Sequence, residues 1–340
     1  DFKQYYNILD LVKDEVVHFS FTIDNSGILK SDYNYVRVLL SKLTSLKYLE
    51  LIFTEIIMIK LLKNLVKGVA NGLKNNAAIE HLKIITSYKF QDSTKELNIL
   101  TILANMPALK ILDLSNCQLD INKVLRIRNH LYYYKKMTVL DLSKCQLDDN
   151  MSNELADGIM KAKALEKLYI SNNGMNKGLA NILYNLAFQP SIRIIDISNN
   201  HSCDKKEVCT SLHKLIKMSQ SVEYIIANNI PNLNNELTND FYSSLGDSNS
   251  LSYLDLSNNG QFSRIEELGM AVSFNALKNG VLSYLDISNC TLTYENFKSF
   301  LNGMKISEKD HNNWYGFQFN ANIQKETKEY FENHFHCNLE

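Results

Sequence analysis

One phrase governs what this chain can fold into. Leu-x-x-Leu-x-Leu, with Ile substituting freely, occurs at Leu46–Leu51, Leu109–Leu114, Leu165–Ile170, Ile192–Ile197, Leu251–Leu256 and Leu282–Ile287. Weaker copies start at Val16, Ile79, Met137, Val222 and Trp314. The middle apolar residue of each copy serves as a marker: Phe19, Leu49, Leu82, Leu112, Leu140, Leu168, Ile195, Ile225, Leu254, Leu285 and Phe317. These eleven markers recur about every 30 residues. A period of that length is the mark of a stacked array, in which each unit buries its core only against its neighbours.

The residues within a period say what each unit contains. Around each marker, apolar and polar residues alternate, as in a short strand with one buried face. Between markers the apolar residues fall at helical spacing. Examples are Leu155, Ile159 and Met160; Ile182, Leu183, Leu186 and Phe188; and Phe297, Phe300, Leu301 and Met304. A strand and a helix per unit, stacked in parallel, predict an α/β leucine-rich-repeat solenoid of the ribonuclease-inhibitor type. Strands would line the concave wall of a horseshoe and helices the convex one. The expected boundaries are an N-terminal cap at 1–15, the solenoid at 16–322, and a C-terminal cap helix and tail at 323–340.

A second periodicity is independent of the leucines. Five residues after each marker the strand must turn, and its backbone needs a buried partner. The residues there are Asp24, Thr54, Ser87, Cys117, Cys145, Asn173, Asn200, Ile230, Asn259, Cys290 and Asn322. All but Ile230 can form hydrogen bonds. Cys117, Cys145 and Cys290 are therefore expected to be ladder residues, not ligands or nucleophiles. Ile230, followed by Pro231, marks an irregular unit.

Composition narrows the function. A net charge of −1 gives no global field for nucleic acid. No apolar run is long enough for a membrane span, and no signal peptide is visible. The first residue is not Met, so an upstream segment is expected. The six cysteines form no CxxC pair, and a reducing cytoplasm is expected. No phosphate loop, HExxH helix or nucleophile elbow occurs. The His334-Phe-His336-Cys337 run is read as tail, and His201 with Cys203 and Cys209 as coincidence. The expectation is a binding protein, not an enzyme, with no metal or cofactor.

Candidate binding residues follow from the strand register. The position after the marker carries Asp113, Asp141, Asp196, Asp255 and Asp286, with Glu50 and Tyr169. The position before it carries Tyr48, Tyr224, Tyr253 and Tyr284. Rigid aromatics beside a row of one charge suit a basic protein partner, whereas ordinary solvation explains the aspartates equally well. Lysines gather where helices hand over to strands: Lys42, Lys74, Lys135, Lys136, Lys161, Lys163, Lys217 and Lys278. Asp92, Asp120, Asp148, Asp149 and Asp204 lie on the opposite edge. The helix dipole accounts for both sets. The sharper reading is an edge, formed by Lys135, Lys136, Lys161, Lys163 and Lys217, that meets phosphoinositide-bearing membrane.

The C-terminal units carry a resemblance. Ser250–Arg264 (SLSYLDLSNNGQFSR), Leu282–Leu292 (LSYLDISNCTL), Phe297–Met304 and Trp314-Tyr-Gly-Phe-Gln-Phe319 resemble the repeat domain of the CARMIL family. That family consists of cytoplasmic scaffolds linking capping protein, the Arp actin-nucleating complex and myosin I. The resemblance implies a regulator of actin assembly at the plasma membrane, and carries over no residue-level role. Two other readings stay open. One is a GTPase-activating repeat protein of the Ran type, although the sequence lacks that type's long acidic tail. The other is a ciliary or immune-type repeat adaptor.

Overall fold

A computed structural model describes residues 13–23, 32–53, 67–86, 99–304 and 318–320. Contacts divide the chain into two compact units, residues 1–147 with 157–165, and residues 148–156 with 166–340.

The first unit holds strands β1 (His18–Ile23), β2 (Tyr48–Phe53), β3 (His81–Thr86), β4 (Ile111–Asp113) and β5 (Val139–Asp141). They pair in parallel in sequence order. The register sets Phe19, Leu49, Leu82, Leu112 and Leu140 side by side, as the markers require. Strands β2 to β5 alternate a buried marker with half-buried neighbours, so one sheet face is core and the other open, whereas at the edge strand β1 Phe19 is only half-buried. Between strands run α1 (Asp32–Lys42) and α2 (Ile121–Tyr134). The stretch before β4 is a 3-10 helix, Ile99–Asn105, where an α-helix was expected. Ile99, Thr101 and Ile102 are β-branched and poor helix formers, which leaves the tighter, shorter turn.

The second unit repeats the design. Its strands are β6 (Lys167–Tyr169), β7 (Ile194–Asp196), β8 (Tyr224–Ile226), β9 (Tyr253–Asp255), β10 (Tyr284–Asp286) and β11 (Gln318–Asn320). They too are parallel and sequential. The helix α3 (Asp149–Lys161) is shared between the two residue sets. Then follow α4 (Lys177–Leu186), α5 (Lys205–Met218), α6 (Asn239–Asp247), α7 (Ile265–Lys278) and α8 (Tyr294–Met304). Each of α4 to α8 packs on the next. Between α7 and α8 the backbones meet at paired glycines. A Cβ on Gly269 would overlap the Phe300 carbonyl, and one on Gly303 the Glu266 carbonyl. Parallel strands alternating with helices thus make an α/β leucine-rich-repeat-type solenoid.

Two registers differ from expectation. Phe319, not Phe317, lies beside Leu285. Phe317 and Phe319 have the same parity, so a slip of two keeps the apolar face inward and leaves no trace in the pattern. Gln318 therefore precedes its marker. Phe188, read as part of a buried stripe, is exposed because α4 ends before it.

The ladder is present at every described position except Ile230, whose backbone amide is served by Asn259. Asn200 is fully buried. Its Nδ2 donates to the carbonyls of Ile170 (3.1 Å) and Ile197 (2.7 Å), and its Oδ1 accepts from the Asn173 amide (3.0 Å). Asn259 likewise donates to the Ala227 carbonyl and accepts from the Ile230 amide. The thiols of Cys117, Cys145 and Cys290 donate to the carbonyls of Ile84, Leu114 and Leu256. Asp24, Thr54, Ser87 and Asn322 lie outside the described residues, as do most of the N-terminal cap and the whole C-terminal cap.

Candidate functional site

On the open sheet face of the second unit, register turns a sequence column into a physical one. Tyr224, Tyr253 and Tyr284 are cross-strand neighbours. The Tyr253 and Tyr284 rings stack 4.5 Å apart and only 2° from parallel. Tyr224 continues the stack at 5.5 Å and 29°. No further layer is placed over these rings among the described residues. Tyr224 is 39 % exposed, and the other two are half-buried by one another. Parallel stacking presents ring edges and hydroxyls outward and uses up most ring faces. The result is a stiff, amphipathic ledge that loses little side-chain entropy when it is covered. Burial, reinforced by Asp255, Tyr284 and Asp286, pushes the Tyr253 phenol up to about 12.

The adjoining carboxylates are largely committed to the fold. Asp196, Asp255 and Asp286 each accept, through Oδ1, the amide of the serine two residues on, at 2.8–2.9 Å. In the first unit Asp113 and Asp141 do the same for Ser115 and Ser143. This Asx turn ends the strand and sets up the left-handed residue that follows. That residue is Asn116, Lys144, Asn199, Asn258 or Asn289, all with positive φ; Asn172 and Asn229 take the same conformation after Tyr169 and Ile226, without an Asx turn. Asp255 is only 6 % exposed and also accepts from Ser257 Oγ and Asn228 Nδ2. It is framework. Asp113, Asp141, Asp196 and Asp286 remain half-exposed, as does Tyr169, which sits beside Asp196.

The first unit has a different open face, which the sequence reading did not pick out. His18, Tyr48 and His81 form one column, with ring centroids 3.8 Å and 4.3 Å apart. Both histidines occupy the position before the marker, so register alone would have found them. Burial lowers the His81 pKa, opposed by Asp113 and Glu50. Beside this column Glu50, Lys83 and Asp113 alternate in sign, with Lys83 Nζ 3.5 Å from Glu50 and 3.9 Å from Asp113. With two carboxylates to one ammonium, the row keeps a net negative charge that Lys83 only partly offsets.

The helix edges resolve into two groups. Asp120 and Asp204 cap α2 and α5, accepting the amides of Lys123 and Glu207. Asp148 accepts the Met151 amide, and Asp149 accepts the amides of Asn176 and Gly178 at the start of α4. Partial burial raises the Asp149 carboxyl, but these backbone donors outweigh it and hold it below its ordinary value. Asp92 lies outside the described residues. Among the lysines, Lys135, Lys136, Lys161, Lys163 and Lys217 are exposed. Lys278 is instead paired with Asp247 at 2.6 Å.

The described cysteines are all buried, free thiols. Burial pushes the thiols of Cys203 and Cys290 up to about 11 and raises Cys145 and Cys209 further. His201 is exposed while Cys203 and Cys209 are buried. The His334–Cys337 run lies outside the described residues.

No family model matches the chain, and no curated protein does. Among solved structures, the chain is similar to Leiomodin-1 Actin-Binding Site 2 (ABS2). The identity is 16 % and the TM-score 0.35, over 38 % of this chain and 76 % of that one. So distant a likeness carries no argument about function.

Proposed function

We propose that the protein is a non-catalytic scaffold that binds a protein partner on the open sheet face of its second unit. The observation that carries this reading is the Tyr224–Tyr253–Tyr284 stack. A repeat needs buried markers, but it does not need three aromatics in register on the uncovered face. Aromatic clusters of that kind supply most of the energy at protein interfaces. The half-exposed Asp196 and Asp286 bias the site toward a basic partner. The partner class is an actin-assembly regulator, and the place of action the plasma membrane, reached through phosphoinositides. The support for that class is the resemblance of residues 250–319 to the CARMIL repeat domain.

The test is capture from an actin-rich lysate, comparing wild type with the double variant Tyr253→Ala, Tyr284→Ala. Recovery of actin-assembly regulators that is lost in the variant supports both site and function. Equal recovery with both proteins moves the site elsewhere. Capture of a small GTPase or of axonemal proteins overturns the function. Lysine substitution of the aspartates is a poor control, because it removes the acceptor that closes each turn. Asp196→Asn and Asp286→Asn keep an acceptor oxygen and remove only the charge.

A further inference from the structure

We infer that the first unit carries a dedicated contact for an anionic lipid bilayer, formed by the last turns of α2 and α3 and crowned by Tyr132 and Tyr133. The inference deepens the membrane part of the proposed function, and it involves none of the residues of the tyrosine stack.

Local geometry brings the two helix ends together. Both helices follow parallel strands and so run in the same direction. At Gly158 a Cβ would lie 2.9 Å from the Cα of Arg128, so the backbones touch there. One turn beyond that contact, α2 ends at Tyr132–Lys136 and α3 ends at Lys161–Lys163. The two segments 130–138 and 158–165 contain Lys135, Lys136, Lys161 and Lys163 and no acidic residue. Asp157 lies a full turn behind this rim.

Charge counting separates a membrane contact from ordinary dipole compensation. A helix C-terminus carries about half a negative elementary charge. Lys135, Lys136 and Lys161 alone exceed the two ends together, leaving a surplus of roughly two positive charges. All four lysines are exposed, and neither Lys135, Lys136 nor Lys161 forms an ion pair with a described residue. Among the described helix ends of the second unit the lysines are fewer, with Lys217 alone in the last turn of α5. There Lys278 is neutralised by Asp247, and the 187–192 segment after α4 holds no lysine.

The aromatics supply the second half of the chemistry. Tyr133 is 72 % exposed and Tyr132 45 %, with their rings in edge contact at 5.1 Å. Repeat packing gives no reason to leave two adjacent large rings in water. A tyrosine beside lysines is matched to the headgroup region, where the ring enters the apolar boundary and the hydroxyl stays wet. Clustered lysines supply the attraction to anionic headgroups.

The test is flotation of the full 340-residue chain with phosphatidylcholine vesicles, plain or containing phosphatidylserine and phosphatidylinositol bisphosphate. Wild type should float with the anionic vesicles alone. Since each lysine contributes about a fivefold change in partitioning, Lys135→Gln with Lys136→Gln should weaken binding about 30-fold, as should Lys161→Gln with Lys163→Gln. Tyr132→Ser with Tyr133→Ser should weaken it about 10-fold or more and make the remainder fully salt-sensitive. Unchanged thermal melting shows that each variant is folded. Equal flotation with neutral vesicles overturns the inference. So does absence of flotation, with lysine-dependent retention on an acidic polypeptide resin pointing instead to an acidic protein. The variant Tyr253→Ala, Tyr284→Ala should float like wild type, so that loss of partner binding and loss of lipid binding are separate results.

Discussion

Replacing Asn200 by alanine tests the ladder that ties the second unit together. The side chain is fully buried and serves four backbone groups, the Ser198 carbonyl only at a long 3.4 Å. Not all of them are orphaned when it is removed. The Ile170 carbonyl keeps the Asn173 side chain at 2.9 Å. The Ile197 carbonyl loses its 2.7 Å donor, and the Asn173 amide loses its 3.0 Å acceptor. A buried backbone group left without a partner costs about 1–3 kcal/mol. Two such groups set the expected loss at about 3 kcal/mol. Cysteine should cost about half as much. The thiols of Cys117 and Cys145 each reach the carbonyl of the preceding unit, yet sulfur is a weak acceptor for the amide. The assay is urea unfolding followed by circular dichroism, with ΔΔG taken from the midpoint shift at constant m. Asn153→Ala on the exposed face of α3 should change stability by less than about 0.5 kcal/mol. A loss below about 1 kcal/mol for Asn200→Ala, with m unchanged, would refute the ladder as an energetic device and reduce it to a packing pattern.

Three further outcomes are expected. Lys144 holds a left-handed conformation, φ 58°, at a position that asparagine occupies in six other units; Lys144→Asn should raise stability by about 0.5–1 kcal/mol, read as a higher melting temperature. Gly269→Ala should cost about 1–3 kcal/mol, because its methyl would press on the Phe300 carbonyl and force α7 and α8 apart, whereas unchanged melting would show that the helices can slide. The Tyr253 phenol titrates higher in the folded chain, near 12, than when unfolded, near 10, so folding is favoured below pH 10 and that advantage is lost as pH rises through 12. Tyr253→Phe should remove the tyrosinate step near 12 and flatten the alkaline loss of stability; a step near 10 that disappears instead would place this ring in solvent.

What the sequence revealed was whatever repeats. The markers, the strand parity and the ladder residues are fixed by a period of about 30 residues, and a side chain that must do the same job in every unit is visible by comparison within the chain. Three things escaped. The slip from Phe317 to Phe319 is silent because the two positions have the same parity in the apolar pattern. The 3-10 helix at Ile99–Asn105 depends on a local balance of propensities that the apolar pattern does not record. The His18–Tyr48–His81 column was in plain register but mixes residue types, so a search for tyrosine alone passed over it.

The same logic separates framework from function among residues that look alike in the sequence. The five aspartates form the more conspicuous column, yet each closes its own turn at 2.8–2.9 Å, a task that belongs to the repeat. The tyrosines close nothing: their backbones would form the same strand with any β-former, as Ile111, Val139 and Ile194 do at the equivalent position. A side chain that serves the fold shows a fold contact wherever it recurs, as the five turn aspartates and the ladder residues do. Tyrosine takes this position in the consecutive strands β8, β9 and β10, where the three rings stack on one another, and in β2, where Tyr48 lies between two histidines. A stack confined to neighbouring strands is not a requirement of the repeat, and that is the physical ground for the partner site proposed on the second unit. The prediction it makes is specific. Transferring the column to the first unit, by Ile111→Tyr with Val139→Tyr, should leave stability within about 0.5 kcal/mol in thermal melting, because the position before the marker lies on the open sheet face; a larger loss would show that the fold itself selects the residue there.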